Sequence, residues 1–139
     1  IIIELIHNFV ENNPKNYFIF SNLGQRKYLS CLNLAKVLIG NSSSGMIEAP
    51  VFKTPTINIG NRQLGRVSAD SVINCTPNPN HIIKSIRKAL DPQFKKEVDD
   101  MIPPFKSDGL VSTRIKDVIK EIDISEKILM KKFYKLTNL

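Results

Sequence analysis

The segment NSSSGMIEAP, residues 41–50, holds the side chains of this sequence that are best suited to chemistry. Three consecutive serines and a glycine follow an apolar run that ends at Gly40. Backbone N–H groups at the start of a helix donate hydrogen bonds to phosphate, serine hydroxyls add further donors, and small residues let the phosphate approach. Glycine also permits a close turn. The pattern predicts a phosphate-binding loop over residues 41–45, and the alternative is an ordinary serine N-cap.

Glu48 is the single acid of this segment. The predicted helix over residues 44–51 places it about one turn beyond the serines, facing back toward a ligand in the loop. A carboxylate there can accept hydrogen bonds from both hydroxyls of a ribose. The alternative is a favourable acid near a helix N-terminus with no ligand role.

The elements that must position this loop alternate between strands and helices. This alternation predicts an α/β fold with a Rossmann-like parallel sheet flanked by helices. Ligands of such open sheets bind beyond the carboxyl ends of the strands, where the serine segment falls. Apolar periodicity predicts helices over 1–13, 25–34, 44–51, 81–90, 92–100, 112–122 and 125–134, and strands over 17–20, 36–40, 54–60 and 71–74.

Composition narrows the class of protein. The chain has 139 residues, of which 42% are hydrophobic and 24% charged, which is typical of one soluble globular domain. No apolar run approaches the roughly 18 residues of a membrane span, and the start has no signal-peptide pattern. The start lacks a methionine, so we expect a fragment of a longer chain. Two cysteines form neither a disulfide framework nor a metal site, which favours the cytoplasm.

The formal net charge of +7 fits either an anionic ligand or nucleic acid. The basic residues are spread along predicted helix faces. Nucleic-acid binding needs a recognition element or aromatic residues interleaved with the cations, and the sequence has neither. We therefore expect no nucleic-acid partner.

The stretch IGNSSSGMIEAPVFKTPTINIGNRQLGRVSADSVINC, residues 39–75, closely resembles the hydrolysing UDP-N-acetylglucosamine 2-epimerases of bacterial sialic acid and capsule biosynthesis. The serine run, EAP, TPTINIG and the NRQ and GR of the next loop match in order. The resemblance implies that residues 1–139 form the UDP-binding domain, the C-terminal half of a two-domain enzyme of the GT-B type. The N-terminal domain, which carries the family's catalytic carboxylates, would then be absent from this chain.

The resemblance also implies which residues hold the nucleotide. Ser42 and Ser43 would contact the diphosphate, with Gly45 nearby. Glu48 would hold the ribose, and Arg62 would reach into the nucleotide site. The loop of Asn22, Leu23 and Gly24 would lie beside the uracil. The two histidines, His7 and His81, receive no catalytic role.

The implied reaction is elimination of UDP to give a glycal-type intermediate, followed by addition of water to yield free N-acetylmannosamine. No cofactor and no metal are expected. The implied partners are a UDP-sugar, the enzyme's own N-terminal domain and further copies of the chain in a homo-oligomer.

Three alternatives remain at the level of sequence. One is the related epimerase that acts on UDP-N,N'-diacetylbacillosamine, and another is the donor domain of a GT-B glycosyltransferase. The NRQLGR loop favours an epimerase over the transferase. A third alternative, from a different class, is a non-catalytic domain that binds anionic polymers through the positive charge.

Overall fold

The structure is a computed structural model that describes residues 1–105, 108–122 and 130. The chain divides into two compact units, Ile1–Phe105 and Lys106–Leu139. The predicted helix over 125–134 falls outside the described residues, apart from residue 130.

Three parallel strands form the sheet of the first unit. They are β1 (Leu38–Gly40), β2 (Thr56–Ile59) and β3 (Val72–Cys75), in the order β1-β2-β3. The predicted α/β class with a parallel sheet is confirmed. Strands β1 and β2 are shorter than predicted, because outer residues of the apolar runs belong to the connecting loops, and β3 is displaced by one residue.

Helices precede and follow these strands, and the described ones lack the length and apolarity that a membrane crossing needs. Helix α4 begins two residues earlier than predicted, because the Asn78 side chain accepts hydrogen bonds from two first-turn N–H groups and Pro79 suits the first helical position. The helices are α1 (Ile2–Asn12), α2 (Gly24–Leu34), α3 (Ser44–Ile47), α4 (Pro79–Ala89), α5 (Pro92–Asp100) and, in the second unit, α6 (Val111–Glu121).

The two faces of the sheet differ in polarity. Ile57 and Ile73 are paired in register on one face, and Ile73 packs against a buried cluster that includes two residues of α5. Asn58 and Asn74, the next pair, lie on the opposite face, where the Asn58 amide donates to the Asn74 side chain at 2.7 Å. The apolar face thus anchors the sheet, and polar groups lie on the other face. The cluster comprises Ala69, Phe94, Val98 and Met101.

The prediction of a buried strand at YFIF, residues 17–20, is wrong. These residues are exposed and form no strand. Strand β1 pairs with β2 on one side, and among the described residues no segment pairs with its other side. Apolar composition favours a strand only where a neighbouring strand supplies the ladder. Helix α1 forms as predicted, yet none of its residues is buried.

The second unit contributes α6, whose residues are all exposed. The Arg114 guanidinium donates two hydrogen bonds, of 2.8 and 3.1 Å, to the Asp108 carboxylate just before the helix. This side-chain hydrogen bonding holds the pKa of Asp108 below its usual value.

Candidate functional site

The serine segment lies where the sequence places it, directly beyond the carboxyl end of β1. The following helix is shorter than predicted: α3 ends at Ile47, and a 3-10 helix continues over Ala49–Phe52. Pro50 has no N–H and cannot make the next α-helical hydrogen bond, which explains the break. Because α3 has only four residues, hydroxyl and N–H donors, rather than a long helix dipole, must supply any anion binding.

The three serines have different surroundings. Ser42 is exposed, and its hydroxyl oxygen accepts a hydrogen bond from the Ser44 N–H at 3.3 Å. Ser43 occupies the N-cap position of α3 without a side-chain capping bond. Ser44 is buried, and its hydroxyl is hydrogen-bonded to the Tyr28 hydroxyl. Ser42 and Ser43 therefore keep hydroxyl donors for a ligand, whereas Ser44 fastens α3 to α2.

Gly45 is needed for packing rather than for a turn. The Gly45 N–H closes a turn onto the Ser42 carbonyl oxygen at 3.2 Å, but its backbone lies outside the left-handed region, so this turn does not itself require glycine. A Cβ built on Gly45 would stand 2.5 Å from the Thr56 Cγ2 atom. The absence of a side chain lets α3 lie directly against β2, which sets the position of the serine loop.

Substituting Gly45 by alanine is expected to destabilise the fold by about 1–3 kcal/mol, because the new methyl group overlaps Thr56. Denaturant unfolding measures the loss. In a Thr56→Ser background, which keeps the hydroxyl and removes the Cγ2 atom, the same substitution should cost clearly less. An equal cost in both backgrounds would show that the overlap with Thr56 does not explain the glycine.

Glu48 lies at the junction of α3 and the 3-10 helix, as the C-cap of the former and the N-cap of the latter. The residue is half-buried, and its Oε2 atom is buried without a hydrogen-bond partner among the described residues. A buried carboxylate oxygen without a donor is costly. An acid that only interacts with the helix dipole does not need to be buried in this way. The burial of Glu48 therefore favours a role in which the carboxylate accepts hydrogen bonds from a ligand.

The loop after β2 is tied to the serine segment by Gln63. This side chain is 5% exposed, and its amide donates a hydrogen bond of 2.6 Å to the Asn41 carbonyl oxygen. Arg62 and Arg66 flank it, and both are exposed. Sequence reasoning missed Gln63, because a glutamine within the polar stretch NRQLGR carries no signal of burial. This hydrogen bond places the loop that carries Arg62 next to Asn41, the residue before the three serines.

Leu23 and Gly24 lie at the start of α2. The Gly24 N–H donates to the Asn22 side chain at 2.7 Å, and Gly24 adopts a positive φ of 66° that glycine tolerates. Residues 20–25 and Tyr28 line a cavity of about 380 Å³. Because Tyr28 also bonds Ser44, this cavity and the serine loop are joined through one side chain.

Taken together, these features define a parallel α/β domain with a polar, anion-suited loop at the carboxyl edge of its sheet. The chain belongs to the UDP-N-acetylglucosamine 2-epimerase family, whose model matches residues 2–120. That membership groups the chain with epimerases rather than with glycosyltransferase donor domains or polymer-binding modules.

Relatives with related names support the assignment. The chain is 36% identical over 136 residues to the GDP/UDP-N,N'-diacetylbacillosamine 2-epimerase (hydrolyzing) of Campylobacter jejuni, covering 98% of this chain and 35% of that protein. It is 44% identical over 96 residues to the polysialic acid biosynthesis protein P7 of Escherichia coli, covering 67% and 25%. It is 31% identical over 132 residues to a UDP-N,N'-diacetylbacillosamine 2-epimerase (hydrolyzing) of Legionella pneumophila, covering 94% and 33%. The chain thus spans about a third or less of the length of these relatives.

Proposed function

We propose that this chain is the UDP-binding half of a hydrolysing epimerase that converts UDP-N-acetylglucosamine to N-acetylmannosamine and UDP. The observation that carries the proposal is the half-buried carboxylate of Glu48, three residues after Gly45, whose Oε2 atom has no hydrogen-bond donor among the described residues. In this proposal, two vicinal ribose hydroxyls donate hydrogen bonds to the accessible part of the half-buried Glu48 carboxylate. Ser42 and Ser43 supply donors for the diphosphate, and Leu23 and Gly24 border a cavity for the base.

The site suits the leaving group of an elimination. The C1–O bond breaks and UDP departs with the bonding electrons, while a base takes the proton from C2 and a C1–C2 double bond forms. Water then adds at C1, and a proton returns to C2 on the opposite face. Hydroxyl donors from Ser42 and Ser43, with the Arg62 guanidinium, stabilise the negative charge that develops on the diphosphate.

The proton-transfer residues belong, in this proposal, to the part of the relatives' length that the present chain does not span. Residues 1–139 then act as one nucleotide-binding domain of a two-domain enzyme. The complete enzyme works in the cytoplasm as a homo-oligomer, with its own N-terminal domain closing over the sugar. The present residues hold the nucleotide, and the sugar is read mainly by the other domain.

A second sugar is favoured by the relatives' names. The proteins from Campylobacter jejuni and Legionella pneumophila, which match nearly the whole chain, are named for N,N'-diacetylbacillosamine. A product assay on the full-length enzyme with both UDP-sugars distinguishes the two substrates. Release of N-acetylmannosamine from UDP-N-acetylglucosamine, at a rate well above that with the diacetamido sugar, is the expected result. The opposite preference would assign the enzyme to the second sugar, and transfer of the sugar to an acceptor would overturn both.

The isolated 139-residue chain is expected to bind UDP weakly and to release no UDP from UDP-N-acetylglucosamine. The reason is that this chain holds the leaving group but lacks the proposed proton-transfer residues. Calorimetry with UDP and a coupled assay for UDP release measure the two properties. Steady release of UDP by this chain alone would place the acid–base residues within it. That result would contradict the proposal that proton transfer belongs to another domain.

A further inference from the structure

A second cleft lies near the carboxyl ends of β2 and β3, on the side of α4. It has a volume of about 860 Å³, within the range of small-molecule sites. Its lining includes Ile73, and Asn61 and Thr76 lie on the loops that follow the two strands. The residues assigned above to UDP do not line it. The carboxyl edge of a parallel sheet is where such folds bind ligands, so this cleft stands in a favourable place.

The cleft is positively charged on the side of α4. His81, Lys84 and Lys88 line it at spacings of three and four residues, which places them along one face of the helix. Its lining contains no aspartate or glutamate. Within the described part of the chain, neither lysine forms a salt bridge. Like charges at positions i and i+4 repel each other, and an anion held between them removes that repulsion.

Two contacts hold these side chains in place. Thr76 Oγ1 and His81 Nδ1 are hydrogen-bonded at 2.6 Å, which orients the imidazole ring and leaves Nε2 for another partner. The Lys88 ammonium lies 5.1 Å from the centre of the Phe94 ring, a cation–π contact that restrains its long stem. A restrained cation loses less conformational entropy when it binds a ligand than a free one does.

We propose that this cleft binds a small organic anion of the size of a sugar, with its phosphate or carboxylate group between Lys84 and Lys88. The amide of Asn61 and the imidazole of His81 donate or accept hydrogen bonds with the hydroxyls of the ligand, and Ile73 contacts its less polar side. The ligand occupies this cleft at the same time as UDP occupies the serine loop.

Calorimetry on the full-length protein saturated with UDP tests the proposal with glucose 6-phosphate and glucuronate as probes and glucose as the neutral control. Binding of either anion, with no heat from glucose, is expected, and the anion that binds identifies the group that the cleft accepts. Lys84→Ala and Lys88→Ala should each weaken binding by about tenfold, the loss of one charge-assisted hydrogen bond. Arg87→Ala is the matched control, because Arg87 lies on the same helix but does not line this cleft.

Absence of binding by both anions would overturn the proposal. So would an equal loss of affinity in Arg87→Ala, which would indicate general attraction to a basic surface. Binding that disappears when UDP is present would assign the anion to the nucleotide loop instead. UDP affinity is measured on the same proteins. If the unsubstituted protein binds UDP but neither anion, only the inference about this cleft is refuted. If it binds an anion but not UDP, only the proposed function is refuted.

Discussion

Replacing Glu48 by glutamine is expected to weaken UDP binding by the full-length protein about ten- to a hundredfold. If Glu48 accepts hydrogen bonds from both ribose hydroxyls, the charge-assisted bonds contribute roughly 1.5–3 kcal/mol together. The carboxamide retains one accepting oxygen and loses the charge. This expectation depends on the half-buried Glu48 carboxylate, whose Oε2 atom has no donor among the described residues.

A cycle with 2′-deoxy-UDP separates a ribose contact from general destabilisation. The wild-type protein should bind 2′-deoxy-UDP more weakly than UDP, and Glu48→Gln should lose most of that difference. Calorimetric titration of both ligands against both proteins gives the four affinities. Glu11→Gln, an exposed acid on α1, should leave all of them unchanged. If the 2′-hydroxyl changes affinity equally in wild type and Glu48→Gln, Glu48 does not hold the ribose. A loss of at most about 1 kcal/mol in the stability of Glu48→Gln would then fit the helix-dipole alternative.

Replacing Arg62 by alanine is expected to lower turnover of the full-length enzyme by about a hundredfold or more. A guanidinium near the diphosphate stabilises charge that grows as the C1–O bond breaks, and removal of one such donor typically costs that much. The effect should be larger on kcat than on substrate affinity, since the charge is greater in the transition state than in the bound substrate. Steady-state kinetics with UDP-N-acetylglucosamine measures both quantities.

Arg66→Ala is the control for Arg62. Both side chains are exposed on one loop, and Arg66 lines a cavity of about 340 Å³ together with Asn58 and Gln63. Its loss should change kcat by only a small factor. Small and equal effects at the two positions would mean that the role assigned to Arg62 is wrong, and a large effect confined to Arg66 would transfer the role to that residue.

The parts of the fold that the sequence predicted well are those with a local physical cause. Helix α5 begins where it was predicted, after the capping Asp91 and with Pro92 at its first position, and α4 has the same kind of start, although its prediction began two residues late. The parallel sheet follows from the alternation of strands and helices. The segment 17–20 was predicted wrongly, because its composition favours burial whereas a strand also requires a neighbour at the right distance.

The site shows the same division between local and long-range causes. Three small hydroxyl residues beyond a strand were enough to locate the loop, because that location depends on chain order. Which serine is structural could not be predicted, since the Tyr28–Ser44 contact joins residues 16 positions apart. The packing reason for Gly45 depends on Thr56, and the burial of Gln63 depends on Asn41. Contacts between residues so far apart in the sequence form only when the helices pack on the sheet. They produce no periodic pattern from which they could be predicted.

The hydrogen bond from Gln63 to the Asn41 carbonyl oxygen has a consequence for engineering this enzyme family. It couples two loops that would otherwise be altered independently, the serine loop proposed to bind phosphate and the loop that carries two arginines. A mutant library that randomises residues 61–66 to change the accepted sugar would disturb the phosphate loop in every clone that loses the glutamine. Keeping Gln63 fixed while its neighbours vary preserves the position of the proposed nucleotide-binding loop, so differences among clones then report on the varied residues.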